Sequence, residues 1–208
     1  MEMGRLENKK IGIFGGTFDP VHIGHLIIAE KSREQFSLSR VFFIPVFKHP
    51  YNKRIYADPE HRLEMLKIAV STNPFFEVSD IEIKRGGPSY TFDTINLLKE
   101  RNPQSEFFLI VGLDAFFDFP NWYRAEELAE KIKLLVAPRE KKIEDIENIK
   151  EIVKSKLKNF PEFHFINSPL IDISSTYIRN CLFKKKTVKY LIPDEVLEYI
   201  NRENLYER

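Results

Sequence analysis

A chain of 208 residues is long enough to bury one sizeable core, so a single domain spanning 1–208 is expected. Lysine plus arginine (32) nearly balances aspartate plus glutamate (31), which leaves no global field to favour nucleic acid or an anionic membrane. The composition is 43% hydrophobic with 18 phenylalanines, its lone cysteine (Cys181) excludes an internal disulfide or a cysteine-based zinc cluster, and no apolar run approaches the roughly 20 residues of a bilayer crossing. The polar start MEMGRLENKK lacks a secretory pattern, so a cytoplasmic protein is expected.

Short β-rich runs alternate with helical patterns along the chain. Strands are predicted over 10–14, 41–46, 76–83, 107–111, 133–137 and 163–167, several of them continuously apolar as strands covered on both faces should be. Helical patterns fall at 24–35, 59–70, 92–101, 123–131 and 143–157. This alternation implies parallel strands with right-handed crossovers, hence an α/β, Rossmann-like doubly wound parallel sheet over about 1–168. After Pro169 the pattern changes to two short helices separated by a basic run and Pro193, a small C-terminal helical subdomain over about 169–208. The lysine- and glutamate-dense 143–158 stretch reads as a solvated helix face.

Two segments carry chemistry. The first, IGIFGGTFDPVHIGH at 11–25, leaves a strand through Gly15 and Gly16, whose bare backbone allows a ligand to approach closely, and enters a helix bearing His22 and His25. It falls at the carboxyl edge of the predicted sheet, where such folds bind ligands. Neither G-x-x-x-x-G-K-[ST] nor G-x-G-x-x-G fits, so a phosphate would be held by amides of the turn and of the helix start at His22 to His25, with the imidazoles adding charge. Taken alone, the histidine pair reads more readily as a cap and a core filler than as a phosphate site, and a zinc role lacks a third ligand. The second segment, Ile173-Ser174-Ser175-Thr176-Tyr177-Ile178-Arg179, opens a helix with hydroxyl caps and carries Arg179 one turn in, where its fork could reach a phosphate. On its own it is also simply a capped helix start.

The string GGTFDPVHIGH is similar to the signature [ST]-x-F-D-x-x-H-x-G-H of a nucleotidylyltransferase superfamily, with Thr17, Phe18, Asp19, His22, Gly24 and His25 in register. Residues 173–179 resemble the I-S-S-T-x-I-R motif by which that superfamily holds the ATP phosphates. Ser89-Tyr90-Thr91-Phe92-Asp93-Thr94, Val111-Gly112-Leu113-Asp114, Trp122 and Val136-Ala137-Pro138-Arg139 resemble, in the same order, elements of the bacterial nicotinate mononucleotide adenylyltransferases.

The resemblance implies transfer of the adenylyl group of ATP to nicotinate mononucleotide, giving the deamido dinucleotide and pyrophosphate. It implies catalytic roles for His22, His25 and Arg179, and ATP contacts for Gly15, Gly16, Thr17, Phe18, Gly112, Asp114, Ser174, Ser175 and Thr176. Acceptor contacts are implied for Lys53, Ser89, Tyr90, Thr91, Asp93 and Trp122. Mg²⁺ would arrive on the ATP phosphates rather than in a protein cage. The partners implied are ATP and nicotinate mononucleotide; neither nucleic acid nor membrane is expected, and a homo-oligomer is compatible with the sequence.

The residues make physical sense beside the resemblance. Amides behind Tyr90 and Thr91 would form a helix N-terminus able to seat the nicotinate carboxylate. Trp122 follows the turn Phe119-Pro120-Asn121, which suits an exposed ring stacked on a pyridinium, although a lone tryptophan is as readily core. One loop departs from the family pattern: where P-P-H-K is usual, this chain has Lys48-His49-Pro50-Tyr51-Asn52-Lys53-Arg54, with Lys53 in the place of the family lysine, Asn52 in that of the histidine, and Lys48 or Arg54 able to substitute. The following His61-Arg62-Leu63-Glu64-Met65 reads as packing. Two other readings share these features: a related nucleotidylyltransferase using nicotinamide mononucleotide, pantetheine phosphate or flavin mononucleotide, and a non-catalytic adenine-nucleotide-binding module.

Overall fold

The computed structural model describes residues 9–51, 53–138 and 157–207. Among them six parallel strands form one sheet: β1 (Lys10–Gly16), β2 (Arg40–Pro45), β3 (Phe76–Val78), β4 (Glu106–Gly112), β5 (Ile132–Ala137) and β6 (Phe163–Phe165). Their order is β3-β2-β1-β4-β5-β6, so the chain builds outward from β1 in one direction and then restarts beside it at β4. Connections that leave in opposite directions open a crevice at the carboxyl ends of these two strands. The structure is the predicted Rossmann-like doubly wound sheet.

Period-two alternation sends successive strand residues to opposite faces, and both faces are covered, which is why the runs are continuously apolar. On one face Phe14, Val41, Phe43, Phe108, Ile110 and Leu135 pack under α1 (Ile23–Phe36) and α2 (Pro59–Val70). The C-terminal helices Ser175–Phe183 and Asp194–Arg202 join that same cluster through Ile178, Cys181, Val196 and Ile200. On the other face Ile13, Phe42, Ile44, Leu109 and Val136 pack under α3 (Ile81–Arg85), α4 (Thr91–Arg101), α5 (Leu113–Asp118) and α6 (Ala125–Ala129). The two C-terminal helices are α7 and α8 below. Among the described residues no helix is long and apolar enough to cross a membrane.

Three expectations change. The predicted strand 76–83 ends at Val78, and Ile81–Arg85 is a helical turn. Its Ile-Glu-Ile-Lys alternation imitates a strand, but Ile81 and Glu82 are the buried pair, and the Lys84 amide bonds back to Asp80 in helical fashion. The predicted helix 123–131 contracts to Ala125–Ala129 because Arg124 takes a left-handed φ of 54°. Between β4 and that helix, α5 and a 3-10 turn at Phe119–Asn121 occupy what the sequence reads only as a turn. Arg139 and residues 143–156 of the predicted helix 143–157 lie outside the described residues.

Candidate active site

A cleft of about 300 Å³ opens at the carboxyl ends of β1, β4 and β5, on the crevice that the strand order creates. Its walls come from distant parts of the chain. Phe14 and Thr17 close β1, Gly112 closes β4, His22, Gly24 and His25 start α1, Ser174, Ser175, Thr176 and Arg179 start α7, and Lys53 and Arg54 come from the loop after β2. The two motif segments, some 150 residues apart in the chain, therefore meet in one cavity.

His22 is the N-cap of α1 and His25 stands at its third position, with the two rings stacked at 3.6 Å between centroids. The His22 amide donates to His25 Nδ1 at 3.1 Å. An imidazole nitrogen that accepts carries no proton, so the neutral ring bears its hydrogen on Nε2 and offers a donor there. Burial, packed edge-on to Phe14 and Phe18, together with the neighbouring His22, holds the His25 pKa well below the usual histidine value. His25 is thus a neutral N–H donor at pH 7, not the standing cation that the sequence reading allows.

The backbone of α1 also differs from expectation. The Ile23 amide donates to the Leu191 carbonyl and the His25 amide to the His22 carbonyl, each at 2.9 Å. With the His22 amide held by His25, those three donors are taken within the chain, so this helix start contributes imidazoles to the cleft more than amides. Gly24 sits in a tight spot: a Cβ there would meet His22 Nδ1 at 3.1 Å and Ile171 Cγ2 at 3.2 Å, so the imidazole or the isoleucine would have to give by a few tenths of an ångström.

The start of α7 is fastened onto the first segment. Ser174 caps the helix by accepting from the Tyr177 amide at 3.2 Å, and the Ser175 hydroxyl donates to the Pro20 carbonyl at 2.8 Å. Arg179 donates to the Asp19 carbonyl at 2.5 Å and to Thr176 Oγ1 at 3.2 Å, with its guanidinium 4.4 Å from the centre of the Tyr56 ring. Asp19, 1% exposed, accepts from the Tyr56 and Ala57 amides at 2.8 and 3.1 Å, fixing the far end of the loop that carries Lys53 and Arg54. Fully buried Arg62 donates to the Thr17 and Ala57 carbonyls at 2.9 and 3.0 Å, so it ties the same two segments from below.

The other predicted residues fall elsewhere. Phe18 is 1% exposed and packs on Phe14, Phe43 and His25, so its ring supports the histidine and cannot itself stack on a ligand. Gly15 and Gly16 end β1 but are not in the cleft wall, and Asp114 is exposed on the first turn of α5. Ser89, Tyr90, Thr91 and Asp93 form a second group outside that wall, around the start of α4, and Trp122, at the end of the 3-10 turn, lies outside the wall as well. Tyr90 caps α4, with its ring 4.6 Å from that of Tyr123, and Trp122 is half-buried against Phe119 at 5.4 Å rather than fully exposed. Ser89 is committed to the loop: its Oγ accepts from the Phe47 amide and its amide donates to the Lys48 carbonyl, each at 2.9 Å. From that loop Tyr51 reaches over to the Asn121 carbonyl at 3.2 Å, beside Trp122.

Under this second group lies Glu82, 5% exposed, accepting from Thr94 Oγ1 at 2.7 Å. Burial raises its pKa above the ordinary 4.5 against the lowering pull of Thr94, Ser89 and Arg85. For an acid whose folded pKa is raised, the stabilising contribution is complete below the unfolded value and is lost as pH rises through the folded one. Glu82→Gln is therefore expected to be more stable than the parent by urea denaturation at about pH 8, with the difference shrinking toward about pH 5. A gap independent of pH would show that the carboxyl is ionised in place.

The sequence passes over Asp19 as a ligand-site organiser, Arg62, Glu82 and Tyr51. Only Asp19 carries a local signal, its place in the signature. The other three act through partners that the fold brings to them: Arg62 on the Thr17 carbonyl, Glu82 with the Thr94 hydroxyl, and Tyr51 on the Asn121 carbonyl.

The family model described as cytidylyltransferase-like matches residues 13–181. Nicotinate-nucleotide adenylyltransferase of Bacillus subtilis is 40% identical over 209 residues, covering 96% of this chain and 99% of the relative. The chain is a member of the nicotinate-nucleotide adenylyltransferase family. In fold it is similar to Plasmodium falciparum nicotinic acid mononucleotide adenylyltransferase, solved with NaAD, at a TM-score of 0.79 and 24% identity over 96% of this chain and 98% of that one. The same Plasmodium enzyme solved with APC matches at a TM-score of 0.77 over the same shares. Membership of the adenylyltransferase family fits a cleft where the two motif segments converge.

Proposed function

We propose that the chain, acting as one domain, transfers the adenylyl group of ATP to nicotinate mononucleotide in the cytoplasm, releasing pyrophosphate and forming deamido-NAD for NAD biosynthesis. The observation that carries the reading is the convergence of the histidine segment and the Arg179 helix on one cleft at the sheet's switch point. Mg²⁺ enters as part of the substrate, on the ATP phosphates.

The reaction is a direct displacement. An oxygen of the acceptor phosphate forms a bond to the α-phosphorus of ATP, the bond to the bridging oxygen breaks, and pyrophosphate leaves with the electron pair. A phosphate monoester has its second pKa near about 6, so the nucleophile is already largely dianionic at neutral pH and no general base is needed. What remains is to hold two polyanions in line and to stabilise charge building on the α-phosphoryl and leaving oxygens.

In this reading His25 donates its Nε2 hydrogen to the α-phosphoryl group with His22 stacked behind it. Ser174, Ser175 and Thr176 present the start of α7, and Arg179 offers its fork, to the ATP phosphates. A Cβ at Gly15 or Gly112 would meet no protein atom within 4 Å, which leaves room for adenosine to come close to the β1 and β4 ends, beside Gly16, Thr17 and Asp114. The Phe18 backbone, not its ring, would face the nucleotide. Lys53, with Arg54 beside it in the cleft wall, would meet the acceptor phosphate.

The nicotinate end would lie at the start of α4, where Tyr90, Thr91 and Asp93 form the cap and first turn. Trp122 leans on Phe119, its ring tilted 43° to it at 5.4 Å, and would stack on the pyridinium. That contact is worth about 0.5–2 kcal/mol, so Trp122→Ala is expected to raise the KM for the mononucleotide by roughly 2- to 30-fold and leave that for ATP nearly unchanged. Steady-state kinetics with each substrate varied in turn checks this; equal change in both constants would remove the stacking role.

The test of the whole reading is pyrophosphate release from ATP against a panel of acceptors. Nicotinate mononucleotide should give the highest kcat/KM, with its amide counterpart well below because the α4 start favours a carboxylate. Turnover only with pantetheine phosphate or flavin mononucleotide would replace the acceptor, and ATP binding without turnover would mark a non-catalytic module.

A further inference from the structure

The last turn of the described chain reaches a residue of the cleft wall, Asp19. Tyr206 donates its hydroxyl to Asp19 Oδ1 at 2.8 Å, across 187 residues of sequence. The tail adopts a left-handed φ at Asn204 (52°) and again at Tyr206 (66°) to reach there. Asn204 ends α8 in the ordinary way, with the Leu205 amide bonded to the Ile200 carbonyl at 3.0 Å. The second left-handed residue serves no helix end. A residue with a Cβ disfavours that conformation, so something must hold it, and the hydroxyl bond to Asp19 together with packing on the sheet cluster does.

Asp19 is the hub of the site. Besides Tyr206 its carboxylate accepts from the Tyr56 and Ala57 amides and stands 3.8 Å from Arg179, while its carbonyl receives Arg179 directly. Two lone pairs per oxygen and four neighbours leave the carboxylate little freedom once all are in place; removing one donor releases the rotation about its Cα–Cβ bond. Burial and the adjoining carboxylate hold the phenol pKa far above its ordinary 10, so it stays a donor throughout the working pH range.

We propose that Tyr206 is a positioning residue for adenylyl transfer: its hydroxyl fixes the Asp19 carboxylate, and through Asp19 it sets both the Arg179 guanidinium and the base of the loop carrying Lys53 and Arg54. The inference rests on the reading of Arg179 as a phosphate ligand and adds to it a part for the C-terminal tail.

Tyr206→Phe keeps the ring and deletes the donor. The expected result is a loss of about tenfold in kcat/KM for ATP and a matching rise in the ATP Kd by calorimetry, beside a thermal midpoint lowered by the loss of one buried hydrogen bond but with the chain fully folded at the assay temperature. In an Arg179→Ala background the same substitution should change the ATP Kd less than twofold, because the two residues act in series. A chain ending at Leu205 should show at least the loss of Tyr206→Phe in the Arg179 background of the parent. A lowered midpoint with unchanged ATP binding, or losses that multiply fully in the Arg179→Ala background, would reduce Tyr206 to a structural clamp and overturn the proposal. If the parent binds ATP but does not adenylylate nicotinate mononucleotide, the functional reading fails, and the calorimetric cycle still decides on Tyr206.

Discussion

Replacing His25 with alanine is expected to lower kcat by roughly 10²- to 10³-fold while changing the KM for ATP by less than about threefold. The size follows from the role. A single donor aimed at oxygens that gain charge only as the α-phosphorus is attacked strengthens most in the transition state, and removing one such donor has that order of effect. The geometry makes the donor unambiguous: Nδ1 accepts from the His22 amide, so the hydrogen sits on Nε2. The depressed pKa sharpens the expectation, because a neutral imidazole titrating well below its usual range gives no step near pH 6.5. An acid limb near about pH 6 in kcat/KM belongs to the acceptor phosphate and should survive in His25→Ala. Equal loss in binding and turnover would show that His25 holds the ground state instead.

Arg179→Ala is expected to cost at least about 10²-fold in kcat/KM for ATP, and Arg179→Lys to recover little of it. The guanidinium spans the Asp19 carbonyl and Thr176 Oγ1 while lying on Tyr56, and a planar fork is the shape that can keep these contacts and still address a phosphate. A lysine ammonium is a point charge on a flexible stem and cannot do both. Arg179 is also part of the buried seam between α7 and the first segment, so the thermal midpoint of each variant should be recorded with its kinetics. Recovery of most activity by lysine would show that charge alone is used.

Much of the architecture is legible in the sequence because its signals are local. Strands such as Val41 to Pro45 are buried on both faces and read as unbroken apolar runs, and α2 begins at a proline with glutamate in its first turn and lysine in its last. The two motif segments are legible for the same reason: residue types at fixed spacing are enough. What escapes is whatever depends on partners far along the chain. Arg62 sits in an amphipathic helix pattern and looks like packing, yet its donors meet the Thr17 and Ala57 carbonyls, which only the fold brings together. Glu82 alternates like a strand residue and is instead a buried acid beneath the second group. Phe18 belongs to the signature and reads as ligand-facing, but the turn drives its ring into the core under His25. The amides at the α1 start look open until the Leu191 carbonyl, drawn from the C-terminal portion, takes one of them.

A crystal structure with a non-hydrolysable ATP analogue and nicotinate mononucleotide bound together would test the central claim most directly. The account predicts the α-phosphate within hydrogen-bonding distance of both His25 Nε2 and Arg179, with the acceptor phosphate in line on the side of Lys53. Phosphates seated away from either residue, or the two substrates held in separate cavities, would contradict it.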